Sequence, residues 1–314
     1  MIEFLQDPAM LAAFLAASVR LAVPIAFAAL GGVIAERSGV YNVGLEGMML
    51  SGAFGAAVGA YATGSPIGGL FVGVISGMLA GFILAILAVS FRVNQLVAGI
   101  AVNLVCAGLT AFLARAVFGL SGAHMSVPGF GPVNLPGLSN LPVVGPAFFN
   151  QDPLVYLLVV LMLGVTFVLF RTQAGLNLRA TGENPRAADS AGVGVFHVRY
   201  LALMVSGGFA ALGGCHLVLS QVYVFTEQMS AGKGFIALAA IILGRWHPVW
   251  AVAAALFFGV CDAAQLRLQF SIPDIPYQIF QILPFAAAIV ALVWIVGSVN
   301  QPEAAGKPYE REQR

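Results

Sequence analysis

Between Pro66 and Phe91 the chain carries no charged side chain at all. A run of that length and character has one inexpensive environment. Crossing the hydrocarbon core of a bilayer takes ~20 mostly apolar residues, and only a helix satisfies its own backbone there. The same pattern recurs at 10–35, 43–62, 94–118, 153–170, 200–220, 234–244, 248–265 and 276–299. With 66–91 these make about nine segments, within a range of eight to ten. The fold class they define is all-α, a polytopic helical membrane protein with a single transmembrane domain over residues 1–314. The segment 234–244 is too short to cross as a straight helix. It is either joined by its flanks or is a half-helix that enters the membrane and stops.

Composition agrees. Of the residues, 60% are hydrophobic and 9% charged, against roughly 25% charged in an ordinary soluble domain. So few charges cannot cover a soluble surface, which excludes a free cytosolic enzyme, a nucleic-acid binder and a disordered chain. Mean hydropathy is +0.95, and the 37 glycines suit membrane helices. A net charge of +1 implies no bulk electrostatic partner. Cys106, Cys215 and Cys261 lie in apolar runs with no metal or disulfide spacing, and read as small buried hydrophobes. His124, His197, His216 and His247 are scattered and suggest no metal site. The acidic start, Met1 to Asp7, lacks the basic region of a signal peptide, so the first apolar run is expected to be retained.

Sidedness follows from lysine and arginine in the connections. The stretch 171–199 holds Arg171, Arg179, Arg186 and Arg199 and is expected to be cytoplasmic. The tail 300–314, with Lys307, Arg311 and Arg314, falls on the same side. The stretch 119–152 has no positive charge and many prolines and glycines; it reads as an external, non-helical loop. Alternation then places the N-terminus outside. A phosphate-binding loop ending in Gly-Lys-Ser/Thr is absent from the sequence, so any ATP hydrolysis belongs to another chain.

Two interrupted segments stand out. The first is Glu36-Arg37-Ser38-Gly39-Val40-Tyr41-Asn42-Val43-Gly44-Leu45-Glu46, which looks like a broken or re-entrant helix. Such backbone is tolerated only against protein or a cavity. Glu46 then has two readings: a substrate-path or gate residue, or a carboxylate bonded to loop backbone or to Arg37. The second segment is 225–236, acidic and glycine-broken before a short apolar run. One in each half suggests inverted repeats whose broken helices meet at a solute path. Asn42, Asn94, Gln95 and Asn103 are further path candidates, although Asn94 and Asn103 project to opposite sides of an ideal helix. Hydrogen bonding between helices is the plainer role for at least one of them. Arg20, Arg115, Asp262 and Arg267 sit near span ends, with a local Asp262–Arg267 pair expected.

The stretch Arg179 to Val193 is the most informative. Asn184 suits a helix N-cap, Pro185 a first helical residue and Gly192 a terminator. The spacing predicts a two-turn helix over 184–191 with Ala187, Ala188 and Ala191 on one small-residue face. A helix that short needs something to pack against. Gly182, Glu183, Asn184, Pro185, Ala187, Ala188 and Gly192 together resemble the coupling loop of permease subunits in ABC importers of the branched-chain amino acid, ribose and nucleoside type. The resemblance extends to Glu36–Met49, to Asn94–Leu104 and to Gly232–Pro248, so it covers roughly residues 20–275. The wording Glu46-Gly47-Met48-Met49 and Gly244-Arg245-Trp246-His247-Pro248 leans toward the nucleoside branch, which shares much with simple-sugar permeases.

That resemblance implies a channel shared with a second, related permease subunit, an extracytoplasmic substrate-binding protein and a cytoplasmic ABC ATPase that uses ATP and Mg²⁺. It implies no catalytic residue, metal or cofactor in this chain, a small-molecule substrate, and a bacterial inner membrane location. The competing reading is an ion-coupled secondary transporter of a small polar solute, with Glu46 and Asp262 as coupling groups. An intramembrane enzyme is disfavoured, because no nucleophile is matched with a base.

Overall fold

A computed structural model describes residues 7–119, 126–134, 136–137, 142–271, 276–295 and 301–310. The long helices are α1 (Pro8–Arg37), α2 (Leu45–Thr63), α3 (Pro66–Ala85), α4 (Gln95–Phe118), α6 (Pro153–Arg171), α9 (Val195–His216) and α11 (Pro248–Ser271). A short α5 (Val144–Phe148) precedes α6. The pair α7 (Gln173–Glu183) and α8 (Pro185–Ser190) precedes α9. The half-length α10 (Lys233–Leu243) precedes α11, and α12 (Tyr277–Gln281) with α13 (Leu283–Ile295) follow. Both α3 and α9 end in a π-helical turn, at Ile86–Ser90 and Leu217–Val222.

Six of these helices, counting the π turns, are long and apolar enough to cross a membrane among the described residues. The other three expected segments are of different kinds. Helix α2 spans 19 residues but is rich in glycine and alanine, because it is packed inside protein rather than facing lipid. Helix α10 has only 11 residues, which is ~16 Å of rise, half of a ~30 Å core. The last is divided between α12 and α13.

Helix α9 is the central post. It is buried over 78% of its most apolar window, against 28% for α4 and for α6. Glycine makes this packing possible. A Cβ on Gly214 would stand 1.9 Å from the carbonyl oxygen of Met49, and one on Gly207 would stand 2.2 Å from that of Gly77. Backbones can approach this closely only where no side chain intervenes. The three cysteines are buried and unbridged, as the sequence reading expects.

The stretch 119–152 differs from expectation. It holds α5 and a two-stranded antiparallel ladder pairing Val133 with Gln151. Pro146 is compatible with α5 because it lies in the first turn, where a backbone N–H has no intrahelical partner. Residues 120–125, 135 and 138–141 of the predicted loop lie outside the described residues.

Candidate functional site

The two interrupted segments meet. Helix α1 stops at Arg37, Gly39 takes φ +88°, and the chain turns back through 38–44 into α2. At the first turn of α2 the Glu46 carboxylate accepts the backbone N–H of Gly232 (2.7 Å) and of Gly234 (2.6 Å). Those groups begin α10. A helix start presents unpartnered N–H donors and a positive dipole end, so a carboxylate there is favourable. A Cβ on Gly234 would lie 2.5 Å from the Glu46 nitrogen, which explains the glycine. The Glu46 carboxylate is thus bonded to backbone from the opposite half of the chain, not to the loop that precedes it or to Arg37. Arg37 is engaged elsewhere, with Nε donating to the Trp246 carbonyl at 2.9 Å.

The other polar candidates surround the same break. Asn103 on α4 accepts from Gly47 N–H (2.7 Å) and donates to the Val43 carbonyl (2.9 Å). Asn42 accepts from Gly44 N–H at 3.1 Å and donates to Ser206 Oγ at 2.8 Å. Gln95 accepts from Tyr41 N–H at 2.8 Å. Asn42, Gln95 and Asn103 thus satisfy the irregular backbone of residues 41–47, and Glu46 satisfies that of Gly232 and Gly234, which water would otherwise have to reach. Asn94 is not among them. It is exposed and caps α4, accepting from Leu96 and Val97.

A second cluster lies at the Arg37 end of the bundle. Trp246 Nε1 donates to the buried Glu36 carboxylate at 2.5 Å, so the Glu36-Arg37 and Arg245-Trp246-His247 motifs grip each other. Arg245 and Trp246 both have positive φ, 53° and 54°. Side chains pay for that conformation, and the two bonds from α1 help hold it. His247 stacks on Phe170 at 5.0 Å, and the Arg179 guanidinium lies over the same ring at 5.2 Å. Burial, with Arg37 nearby, lowers the His247 imidazole from its ordinary value of 6.5.

Arg179 belongs to α7, which leads into α8. Asn184 Oδ1 accepts the Ala187 N–H at 3.1 Å, Pro185 is the first helical residue and Gly192 takes φ +87°, so the local chemistry acts as the spacing predicts. The helix α7 ahead of it is not anticipated by that spacing. The expected alanine face is corrected: Ala188 is buried against Val195 and Tyr309 of its own chain, while Ala187 and Ala191 are exposed. Gly182 is also buried. A Cβ there would stand 2.2 Å from the Arg37 carbonyl oxygen, and its own carbonyl accepts from Ala304 N–H at 2.9 Å. The tail 301–310 thus straps this end, and Arg92 pairs with Glu310 at 2.7 Å. The Asp262–Arg267 pairing is not found. Asp262 pairs with Lys233 at 3.5 Å, and Arg267 reaches Met10 Sδ at 3.4 Å, because α11 turns Asp262 toward the start of α10.

A bundle of apolar helices with two broken segments meeting inside it, and a short capped helix displayed at one end, has the architecture of a membrane permease. The family described as the permease component of branched-chain amino acid transport systems matches residues 14–297, and the chain belongs to it. It is 36% identical over 307 residues to the guanosine ABC transporter permease NupQ of Bacillus subtilis, covering 95% of this chain and 96% of that one. It is 36% identical to the nucleoside ABC transporter permease NupC of Lactococcus lactis, over 91% and 93% of the two chains. A solved ABC transporter of metal-chelate type, in an inward-facing conformation, shares the fold at 18% identity with a TM-score of 0.50, over 88% of this chain and 85% of that chain. The chain is therefore the permease subunit of an ABC importer, and the secondary-transporter reading is set aside.

Proposed function

We propose that the chain is one of two non-identical permease halves of an ATP-driven nucleoside importer in the bacterial cytoplasmic membrane. The observation that carries this is the near-full-length similarity to NupQ and NupC, named for guanosine and nucleoside transport. A simple-sugar substrate is the second reading, supported by 39% identity to TsgC13 of Haloferax volcanii, named for glucose, over 82% of this chain.

Pairing is supported by the relatives. Bacillus subtilis has NupP at 26% identity beside NupQ at 36%. Lactococcus lactis has NupB at 23% beside NupC at 36%. These pairs support a heterodimer of this chain with a more distant permease. The solute comes from an extracytoplasmic binding protein, and a separate ATPase consumes ATP and Mg²⁺.

The topology in this reading has nine segments. The tail, Gly182 and Arg37 share one end of the bundle, which the arginines of 171–199 make cytoplasmic. Helix α1 then starts outside. Helices α2 and α10 are the inner parts of two inverted halves. Asn42, Glu46, Gln95 and Asn103 brace the break beside the path, while Asn94 only caps α4. The ATPase meets the outer part of the coupling element, the exposed Glu183, Asn184, Ala187, Ala191 and Gly192 with the half-buried Pro185, while Gly182 and Ala188 seat it from behind.

Two measurements test the reading. Uptake of labelled purine nucleosides, pyrimidine nucleosides, glucose and pentoses is compared in cells with and without the gene; loss confined to a sugar would displace the nucleoside reading. Ala187→Glu, on the exposed face, should leave membrane insertion intact but abolish co-purification of the ATPase and uptake. Normal co-purification and uptake would show that α8 is not the coupling element.

A further inference from the structure

A cavity of about 400 Å³ lies between α1, α10, α11, α12 and α13, and its lining includes Leu21, Lys233, Asp262, Gln265, Gln281 and Phe285. Its depth can be read from helix geometry. At ~1.5 Å per residue, Leu21 stands roughly 24 Å from Arg37 at the end of α1, and Asp262 roughly 21 Å from Pro248 at the start of α11. Arg37 and Pro248 lie at the same end, joined through Trp246. The cavity therefore sits at mid-depth along the bundle, level with the break where α10 begins, and opens on the side of the exposed Gln281 and Phe285. Charged groups at that depth are costly and are found where they face a polar path or one another.

Here they do both. Lys233 Nζ and Asp262 Oδ2 are 3.5 Å apart, so the lining is close to neutral overall. Asp262 is only 8% exposed, and the Lys233 ammonium at 3.5 Å is the one partner that its Oδ2 faces among the described residues. That leaves a buried acceptor with unused capacity beside three donors on Lys233. Gln265 and Gln281 add amide donors and acceptors, and Phe285, 47% exposed, adds an aromatic face. Binding sites for small polar molecules combine apolar walls with a few such convergent polar groups. A paired charge disfavours an anion, since the ammonium is already neutralised.

We propose that this cavity is an intramembrane subsite for the transported solute, and that it takes a neutral, hydroxyl-bearing molecule with an aromatic ring, of which a nucleoside is the type. Hydroxyl or ring N–H groups donate to Asp262, carbonyl groups accept from Lys233 and the glutamine amides, and the ring lies on Phe285. The proposal rests on the nucleoside-import reading and assigns that reading its solute contacts in this chain.

The test uses the native host with chromosomal substitutions, so that every partner subunit is present. Wild-type cells are first assayed for [³H]guanosine uptake; no gene-dependent uptake would overturn the import reading and this subsite with it. With uptake established, Gln281→Cys, at an exposed position beside three native cysteines that are all buried, is labelled with a charged methanethiosulfonate in membranes. Guanosine at ten times its protective constant should slow labelling about tenfold, and leucine should not. Asp262→Asn and Gln281→Leu should each lower uptake about tenfold, with permease level and ATPase co-purification unchanged. Labelling that guanosine does not slow, or that leucine slows instead, would overturn the subsite while leaving nucleoside import standing. Unchanged uptake in Gln281→Leu, a substitution at a position too exposed to unfold the bundle, would overturn it as well.

Discussion

Replacing Glu46 with glutamine isolates the one contact that ties the two broken segments together. The native carboxylate receives two short bonds, 2.7 and 2.6 Å, from Gly232 and Gly234. Bonds to a charged acceptor contribute about 1.5–3 kcal/mol each. Glutamine keeps one oxygen, so one bond survives in its weaker neutral form. Its NH₂ faces the other N–H, and that donor is left unsatisfied at about 1–3 kcal/mol. Loss of the negative charge at the start of α10 removes roughly another 0.3–1 kcal/mol. The sum is about 3 kcal/mol. For a chain of this size each kcal/mol corresponds to roughly 2 °C, so the purified complex should melt about 6 °C lower, with reduced uptake. Melting is followed in detergent by loss of soluble, monodisperse complex. A melting point within 1 °C of wild type would refute the capping argument. If uptake were lost at that unchanged melting point, Glu46 would be a gate residue instead.

Gly182→Ala should break the seat of α7 against Arg37, because the added carbon would stand 2.2 Å from a backbone oxygen; the expected outcome is lost ATPase co-purification with the membrane helices still inserted. The lowered His247 pKa makes protonation unfavourable to the folded state. Its stabilising effect is thus full above the ordinary value of 6.5 and declines as pH falls through the lowered folded value. Melting curves at pH 7.5 and 5 should show an acid-side loss that His247→Phe, which keeps a ring on Phe170, reduces.

Legibility in the sequence divides by distance along the chain. The Asn184 cap, Pro185 and the left-handed Gly192 were readable because each acts within three or four residues of itself. The long spans were readable because lipid imposes their length, and both breaks because glycine and charge interrupt apolar runs. What each break touches was not readable. Nothing near Glu46 names Gly232 as its partner, and sequence proximity favoured Arg267 for Asp262 when the fold supplies Lys233. Ala188 shares every local property with Ala187 and Ala191; the packing of Val195 at the start of α9 and the return of the tail with Tyr309 decide which of them is covered. Helix α7 is not legible for a related reason: its residues are polar on average, unlike those of the spans, and its position comes from contact with α1 and the tail.

The bond between Glu46 and the start of α10 has a consequence for how the chain is made. Its partners are separated by 186 residues. At a synthesis rate of ~5–20 residues per second, Glu46 is in place roughly 10–40 s before Gly232 emerges. During that interval the first half of the permease holds a carboxylate with no cap to bind, and the helix that will need it does not yet exist. The first half must therefore stay beside the insertion machinery or admit water until the second arrives. Release from the translocon becomes the moment at which the two breaks close on each other, and a ribosome stalled before residue 232 should leave a half-permease that quality-control proteases can recognise.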